Sequence, residues 1–167
     1  MGERIEMTST PAPAGFAGLY ERHYEAVFRA ALRVTGSAAD AEDVLQTVFL
    51  RLLSRSEQEA AAARPAAYFR RAAVNAAVDL LRRRAVRAED VYDDRAPHAA
   101  SEPAPLLKQQ LRRAIATLDE EDASLFLLRH VEGLSNQELA DAFQIEKNNV
   151  AVRLHRIRLR LQIEMER

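Results

Sequence analysis

Between Lys147 and Leu161 the chain sets Lys147, Asn148, Asn149, Arg153, His155, Arg156 and Arg158 around the apolar positions Val150, Leu154, Ile157 and Leu161. Arg and Asn side chains can each make two parallel hydrogen bonds to a base edge in the major groove, and the other cations can hold phosphate oxygens. The chemistry open to this stretch is therefore recognition of duplex DNA rather than bond making. The apolar residues recur every three or four positions, so they line one side of a helix and leave the polar set on the others. A solvated basic helix closing a small bundle has the same pattern, because charge on the outer face is the default for a surface helix.

The elements that must position this helix stand just before it. Ser135 and Glu138 have the spacing of a capping box: the Ser135 hydroxyl accepts from the backbone N–H of Glu138, and the Glu138 carboxylate accepts from the N–H of Ser135. Leu139, Ala140 and Phe143 form an apolar stripe, and Gln144, Ile145 and Glu146 supply a turn. Two short helices joined tightly, the second presenting the polar set, make a helix-turn-helix.

A second polar group lies on a helix from Ala66 to about Arg84, with Pro65 in its first turn. Its arginines, with nearby aromatics and Asn75, suit nucleic acid, because aromatic faces accept stacked, unpaired bases at about 1–3 kcal/mol each. Tyr68, Phe69, Ala72, Ala76, Leu80 and Leu81 are its inward or partly exposed positions.

A third group follows Ser37, which caps a helix through Leu53. Val44, Val48, Phe49 and Leu52 face inward, with Asp40, Glu42, Asp43, Gln46 and Thr47 on the surface. Acids in a first turn complement the helix dipole at about 0.3–1 kcal/mol each. That does not account for Asp43, Gln46 and Thr47, which with Leu53 form a mixed strip suited to a partner helix.

The remaining segments are read by period and composition. Phe16, Leu19, Tyr20, His23, Tyr24, Val27, Phe28 and Ala31 predict a first helix ending near Gly36, with His23 and Tyr24 on its buried face. No second ligand stands a turn from His23, so it reads as core or rim rather than metal site. Residues 54–64 read as a polar connection. Leu107, Leu111, Ile115 and Leu118 mark a fourth helix, and a fifth begins at Asp119 and is buried through Leu125 to Leu128.

The chain has 167 residues, 48% of them hydrophobic and 29% charged, with only five glycines, a composition that points to an all-α fold. The absence of cysteine excludes disulfides and thiolate metal sites. No secretory signal or membrane-length apolar run is evident, so a cytoplasmic location without membrane insertion is expected. Asp40, Glu42 and Asp43 lack the His or further carboxylates of a metal site, and no catalytic constellation or cofactor motif stands out, so the chain reads as a non-enzyme with no cofactor.

Net charge is −1, whereas a protein holding DNA unaided through phosphates is usually clearly basic. The charge is segregated instead. Arg70, Arg71, Arg82, Arg83, Arg84 and Arg87 face only Asp79 over residues 69–87, and Glu89, Asp90, Asp93, Asp94 and Glu102 face only Arg95 over residues 89–102. Residues 88–105, Pro-containing and poor in aliphatics, read as a flexible acidic linker, and residues 1–15 as a mobile tail.

Taken in order, LYERHYEAVFRAALRVTGSAADAEDVLQTVFLRLL, YFRRAAVNAAVDLLRRR and LRRAIATLDEEDASLFLLRHVEGLSNQELADAFQI resemble the extracytoplasmic-function (ECF) group of bacterial RNA polymerase sigma factors. The resemblance implies a region 2-like domain over residues 16–87 and a region 4-like helix-turn-helix domain over residues 106–167. It implies promoter-specific transcription initiation with core RNA polymerase, gripped at the β′ coiled coil and β flap, and with promoter DNA. An anti-sigma factor is a further partner by family habit.

Residue by residue, Asp40, Asp43, Gln46, Thr47 and Leu53 would contact core polymerase. Tyr68, Arg71, Asn75, Asp79, Arg82 and Arg83 would read and melt the −10 element, with residues 56–64 placed to capture a flipped base. Lys147, Asn148, Asn149, Arg153, His155, Arg156 and Arg158 would read the −35 duplex. The chain departs from the family pattern at Thr47, often Glu, at Tyr68, usually Trp, and at Ala151, usually basic. Two rivals remain open: a helix-turn-helix regulator acting without polymerase, and a degenerate sigma-like protein that binds partners without melting a promoter.

Overall fold

The computed structural model describes residues 14–90 and 103–167. Among them are eight α-helices and no strand: α1 (Ala14–Thr35), α2 (Ala38–Arg51), α3 (Arg55–Ala63), α4 (Pro65–Asp90), α5 (Pro103–Ala116), α6 (Glu120–His130), α7 (Asn136–Phe143) and α8 (Lys147–Met165). The first four form an N-terminal module and the last four a C-terminal one.

Local signals set most of the boundaries. α1 stops at Gly36, whose left-handed φ of 70° ends the helix while its N–H donates to Leu32 O at 2.8 Å. Ser37 then caps α2, Ser54 caps α3 and Asp119 caps α6, each side chain accepting from the backbone N–H three residues on. Pro65 opens α4, where its missing N–H costs nothing.

α4 is the shared centre. It packs against α1 and α2 on one side and against α5 and α6 on the other. Phe69, Ala73, Val74, Ala77 and Val78 are fully buried along it. The alanines keep its surface shallow, so neighbouring helices can approach from both sides. Phe69 is the largest fully buried side chain, its ring 4.5 Å from that of His23 and 5.4 Å from that of Phe49. Burying such a side chain stabilises the fold by about 1.5–3 kcal/mol.

Several expectations change. Residues 54–64 are not an irregular connection: they hold α3, joined to α4 by the Tyr68 hydroxyl donating to the Glu57 carboxylate. Tyr24 is 45% exposed rather than buried, because the α1 core stripe runs through Leu19, Val27, Ala30, Ala31 and Val34. Tyr24 instead stacks on Tyr20 at 5.6 Å. Asp40 is not on the surface of α2: it is 2% exposed and pairs with Arg84 of α4. The expected tail and linker lie outside the described residues, except that 14–15, 88–90 and 103–105 are helical. Asp93 and Asp94 are among those outside.

Candidate nucleic-acid interface

The helix-turn-helix is held by the capping box. Glu138 N–H donates to Ser135 Oγ at 3.2 Å, and Ser135 N–H donates to Glu138 Oε2 at 2.8 Å. These bonds hold the Glu138 carboxyl below its ordinary pKa. The turn rests on Gln144, left-handed at φ 54°, whose N–H donates to Ala140 O. α8 then starts after Glu146 with no side-chain cap, leaving its first amides unpaired by a cap and its positive dipole end exposed.

Val150, Leu154, Ile157 and Leu161 bury one side of α8. Lys147, Asn148, Asn149, His155, Arg156 and Arg158 are exposed, and Lys147, Arg156 and Arg158 have no ion pair among the described residues. Arg153 differs. Its Nε donates to Asp122 Oδ1 at 2.5 Å and its Nη2 to Glu121 Oε2 at 3.0 Å, and its side chain is 30% exposed. Burial alone would ease its proton off, but the hydrogen bonds to Asp122 and Glu121 outweigh it and raise its pKa. Arg160 reaches the same Asp122 at 3.2 Å. The acids at the start of α6 thus tie α8 to α6, and Asp119 Oδ1 also accepts from Asp122 N–H at 2.9 Å.

On α4, Arg71, Asn75 and Arg82 share one face, with Tyr68, Asp79 and Arg83 turned beside it. Asn75 Oδ1 accepts from the Ser124 hydroxyl at 2.6 Å. Arg71 donates to Ala142 O, and Arg82 to Leu118 O. Asp79 lies 3.6 Å from Arg51, and Arg83 Nε donates to Asp79 O at 3.3 Å. Burial and then the Glu57 carboxylate raise the Tyr68 hydroxyl well above its ordinary pKa.

On α2, Asp43 and Gln46 are exposed and Thr47 is half-buried, its hydroxyl donating to Asp43 O at 2.9 Å. Leu53, just past the helix, is 50% exposed. Asp40 stands apart from this strip.

Residues 19–87 match Sigma-70 region 2 and residues 108–161 match Sigma-70, region 4. The ECF RNA polymerase sigma factor SigL of Mycobacterium tuberculosis is 32% identical over 160 residues, covering 91% of this chain and 89% of SigL. The chain belongs to the ECF sigma factors of RNA polymerase.

The RNA polymerase sigma-E factor of Streptomyces avermitilis is 31% identical over 147 residues, covering 85% of this sigma factor and 80% of that one. The ECF RNA polymerase sigma factor SigE of Mycolicibacterium smegmatis is 30% identical over 152 residues, and the match spans only 59% of SigE. A chain from the co-crystal structure of the sigma factor RpoE with the anti-sigma factor NepR from Bartonella quintana has the same fold, with a TM-score of 0.50 and 17% identity over 90% of this chain and 96% of that one. A sigma factor directs transcription initiation at particular promoters, and the reading as an ordinary helix-turn-helix regulator falls. Among the described residues no helix of this sigma factor is long and apolar enough to cross a membrane.

Three residues escaped the sequence reading. Leu50 is 65% exposed and continues the strip of Asp43, Gln46 and Thr47. Val152 is 50% exposed on α8, one turn from both Asn148 and Arg156. Helical spacing, i+4 from Gln46 and from Asn148, would have found both. Ser124, the partner of Asn75, carried no such signal.

Proposed function

We propose that this sigma factor reads a −35 duplex with the outer face of α8 and engages the −10 element with the Arg71, Asn75 and Arg82 face of α4. Core polymerase docks on the α2 strip of Asp43, Gln46, Thr47, Leu50 and Leu53, which presents apolar area within a polar rim to the β′ coiled coil. The observation that carries the reading is the division of α8. One side is fully committed to the core, and the other offers Asn148, Asn149, His155 and Arg156 to solvent.

Asn148, Asn149 and Arg156 have the donors and acceptors for base edges. Val152 between them offers a methyl surface that fits a thymine methyl. Lys147 and Arg158, on one flank, suit phosphate oxygens. Arg153 is held by Asp122 and acts on DNA by fixing the tilt of α8. With an overall charge of −1, binding by the free chain is weak and gains strength when polymerase holds it on the promoter.

Run-off transcription with purified core polymerase on a pool of randomised promoters tests the reading. Selected templates should share a −35 and a −10 element and give discrete products. Product no greater than from core polymerase alone would overturn it in favour of a degenerate sigma-like binder.

A further inference from the structure

Apart from the surfaces assigned to polymerase and DNA, a cavity of about 270 Å³ opens where α1, α4 and the turn after α6 meet. Its polar lining is His23, Arg29 and Arg33 of α1, Arg70 of α4, and Glu132. Small residues leave the space: Ala26 and Ala30 on α1 and Ala66 on α4 bring only methyl groups to its wall. The fully buried Phe69 closes it on one side, with the His23 ring stacked at 4.5 Å.

The charges around this cavity do not balance. Glu132 is fixed through its backbone, its N–H donating to Leu127 O at 3.2 Å and the left-handed Gly133 following at φ 73°. Its side chain is only 6% exposed, and one oxygen takes both bonds from Arg33, at 2.7 and 3.0 Å. The other oxygen has Arg70 Nε at 3.8 Å, an attraction without a hydrogen bond. Glu138, which Arg70 influences through space, is exposed and committed to Ser135. Arg29 pairs one turn back with Glu25, and those side chains are 66% and 61% exposed, so water competes for the pair. Three guanidiniums thus surround one buried carboxylate, and Arg29 and Arg70 keep donors that no buried acid among the described residues takes up.

A phosphate dianion supplies what is missing. Guanidinium groups bind tetrahedral oxyanions through paired, charge-assisted hydrogen bonds. Cations around a walled cavity concentrate their field inside it, where salt screens less than at an open surface. Burial, and then Arg22, lower the His23 pKa from its ordinary value, so near pH 7 the imidazole is neutral and has one N–H to give to a phosphate oxygen. A volume below the roughly 300–1,000 Å³ of drug-sized ligand sites suits phosphate itself or a short ester of it.

We propose that this cavity binds a small phosphate dianion, free or as a short phosphomonoester, through Arg29, Arg33 and Arg70. The site is separate from the −10 face, since Arg70 stands about 140° around α4 from Asn75.

NMR titration of the full-length chain with inorganic phosphate, at ionic strength held constant with chloride, tests the site. The His23 ring signals, identified by their loss in His23→Phe, should shift saturably with phosphate and not with chloride. Arg29→Gln and Arg70→Gln should each weaken binding at least about fivefold, and Ala26→Leu, which fills the cavity without changing charge, should do the same. Urea midpoints close to wild type establish that each variant is folded, and −10 strand and −35 duplex affinities should be unchanged. A parallel titration with glycerol 3-phosphate separates the two sources. Tighter binding than phosphate assigns the site to a phosphomonoester, and equal binding assigns it to the free ion. No saturable shift at His23, or unchanged phosphate affinity in both arginine variants, overturns the site. Loss of −10 strand affinity in both variants marks these arginines as nucleic-acid contacts and overturns it as well.

Discussion

Arg153 of α8 and Asp122 of α6 are joined by a hydrogen bond of 2.5 Å, and the same carboxylate receives Arg160 from about two helical turns further along α8. A cation in the middle of α8 is thereby tied to the start of α6 in its own module.

The first prediction follows from that tie. Asp122 is buried and Arg153 partly so. Asp122→Ala therefore leaves a partly desolvated guanidinium short of its main partner, a loss of about 2 kcal/mol, between the values for exposed and buried pairs. Urea denaturation should register it. Asp122→Asn should weaken −35 duplex binding about as much as Arg153→Ala does. Full affinity in Asp122→Asn with loss in Arg153→Ala would make Arg153 a direct reader.

Arg156 and Lys147 should separate by the kind of binding they lose. Arg156→Ala should cost about 1–3 kcal/mol at the preferred −35 sequence and relax preference at one position. Lys147→Ala should weaken all duplexes nearly alike and lower the salt dependence by about one counterion. Fluorescence anisotropy with a set of single-base −35 variants, repeated over a salt series, checks both. Position-specific loss from Lys147→Ala would reverse the two roles.

Leu50 should matter to polymerase and not to the fold. It is 65% exposed, so Leu50→Arg should change stability by no more than about 0.5 kcal/mol. On the α2 strip the new cation would have to be desolvated against the partner helix, and binding to core polymerase should fall at least about tenfold, near 1.4 kcal/mol. Co-elution with core polymerase and a urea titration of the free chain give the two numbers. Unaltered co-elution would move the docking surface elsewhere.

What the sequence made legible was local. Ser135 with Glu138, Ser37, Asp119 and Pro65 each announced a helix start through side chains a few residues apart, and the four-residue rhythm of Val150, Leu154, Ile157 and Leu161 announced the buried side of α8. α3 was hidden because its run of Glu, Gln and Ala carries no apolar stripe, and only Ala61 is buried. Asp40 looked like a surface acid because its partner Arg84 is 44 residues away. The docking of α6 on α4 was hidden for a related reason. The alanines that allow close approach have little hydrophobic signal, and Asn75 meets Ser124 across 49 residues of chain.

The last prediction concerns acid stability and rests on His23. Burial against Phe69, and then the neighbouring Arg22, lower its pKa from the ordinary 6.5. In the unfolded chain the same imidazole titrates near its ordinary value, so as pH drops below about 6.5 the unfolded state takes up the proton first. His23 therefore favours the fold above that pH, and its contribution shrinks as pH falls toward the lowered folded value. His23→Phe keeps an aromatic ring against Phe69 and removes the proton. Urea midpoints measured at pH 7.5 and pH 5.5 should fall less for His23→Phe than for wild type. Equal falls in the two proteins would show that His23 is not the group responsible.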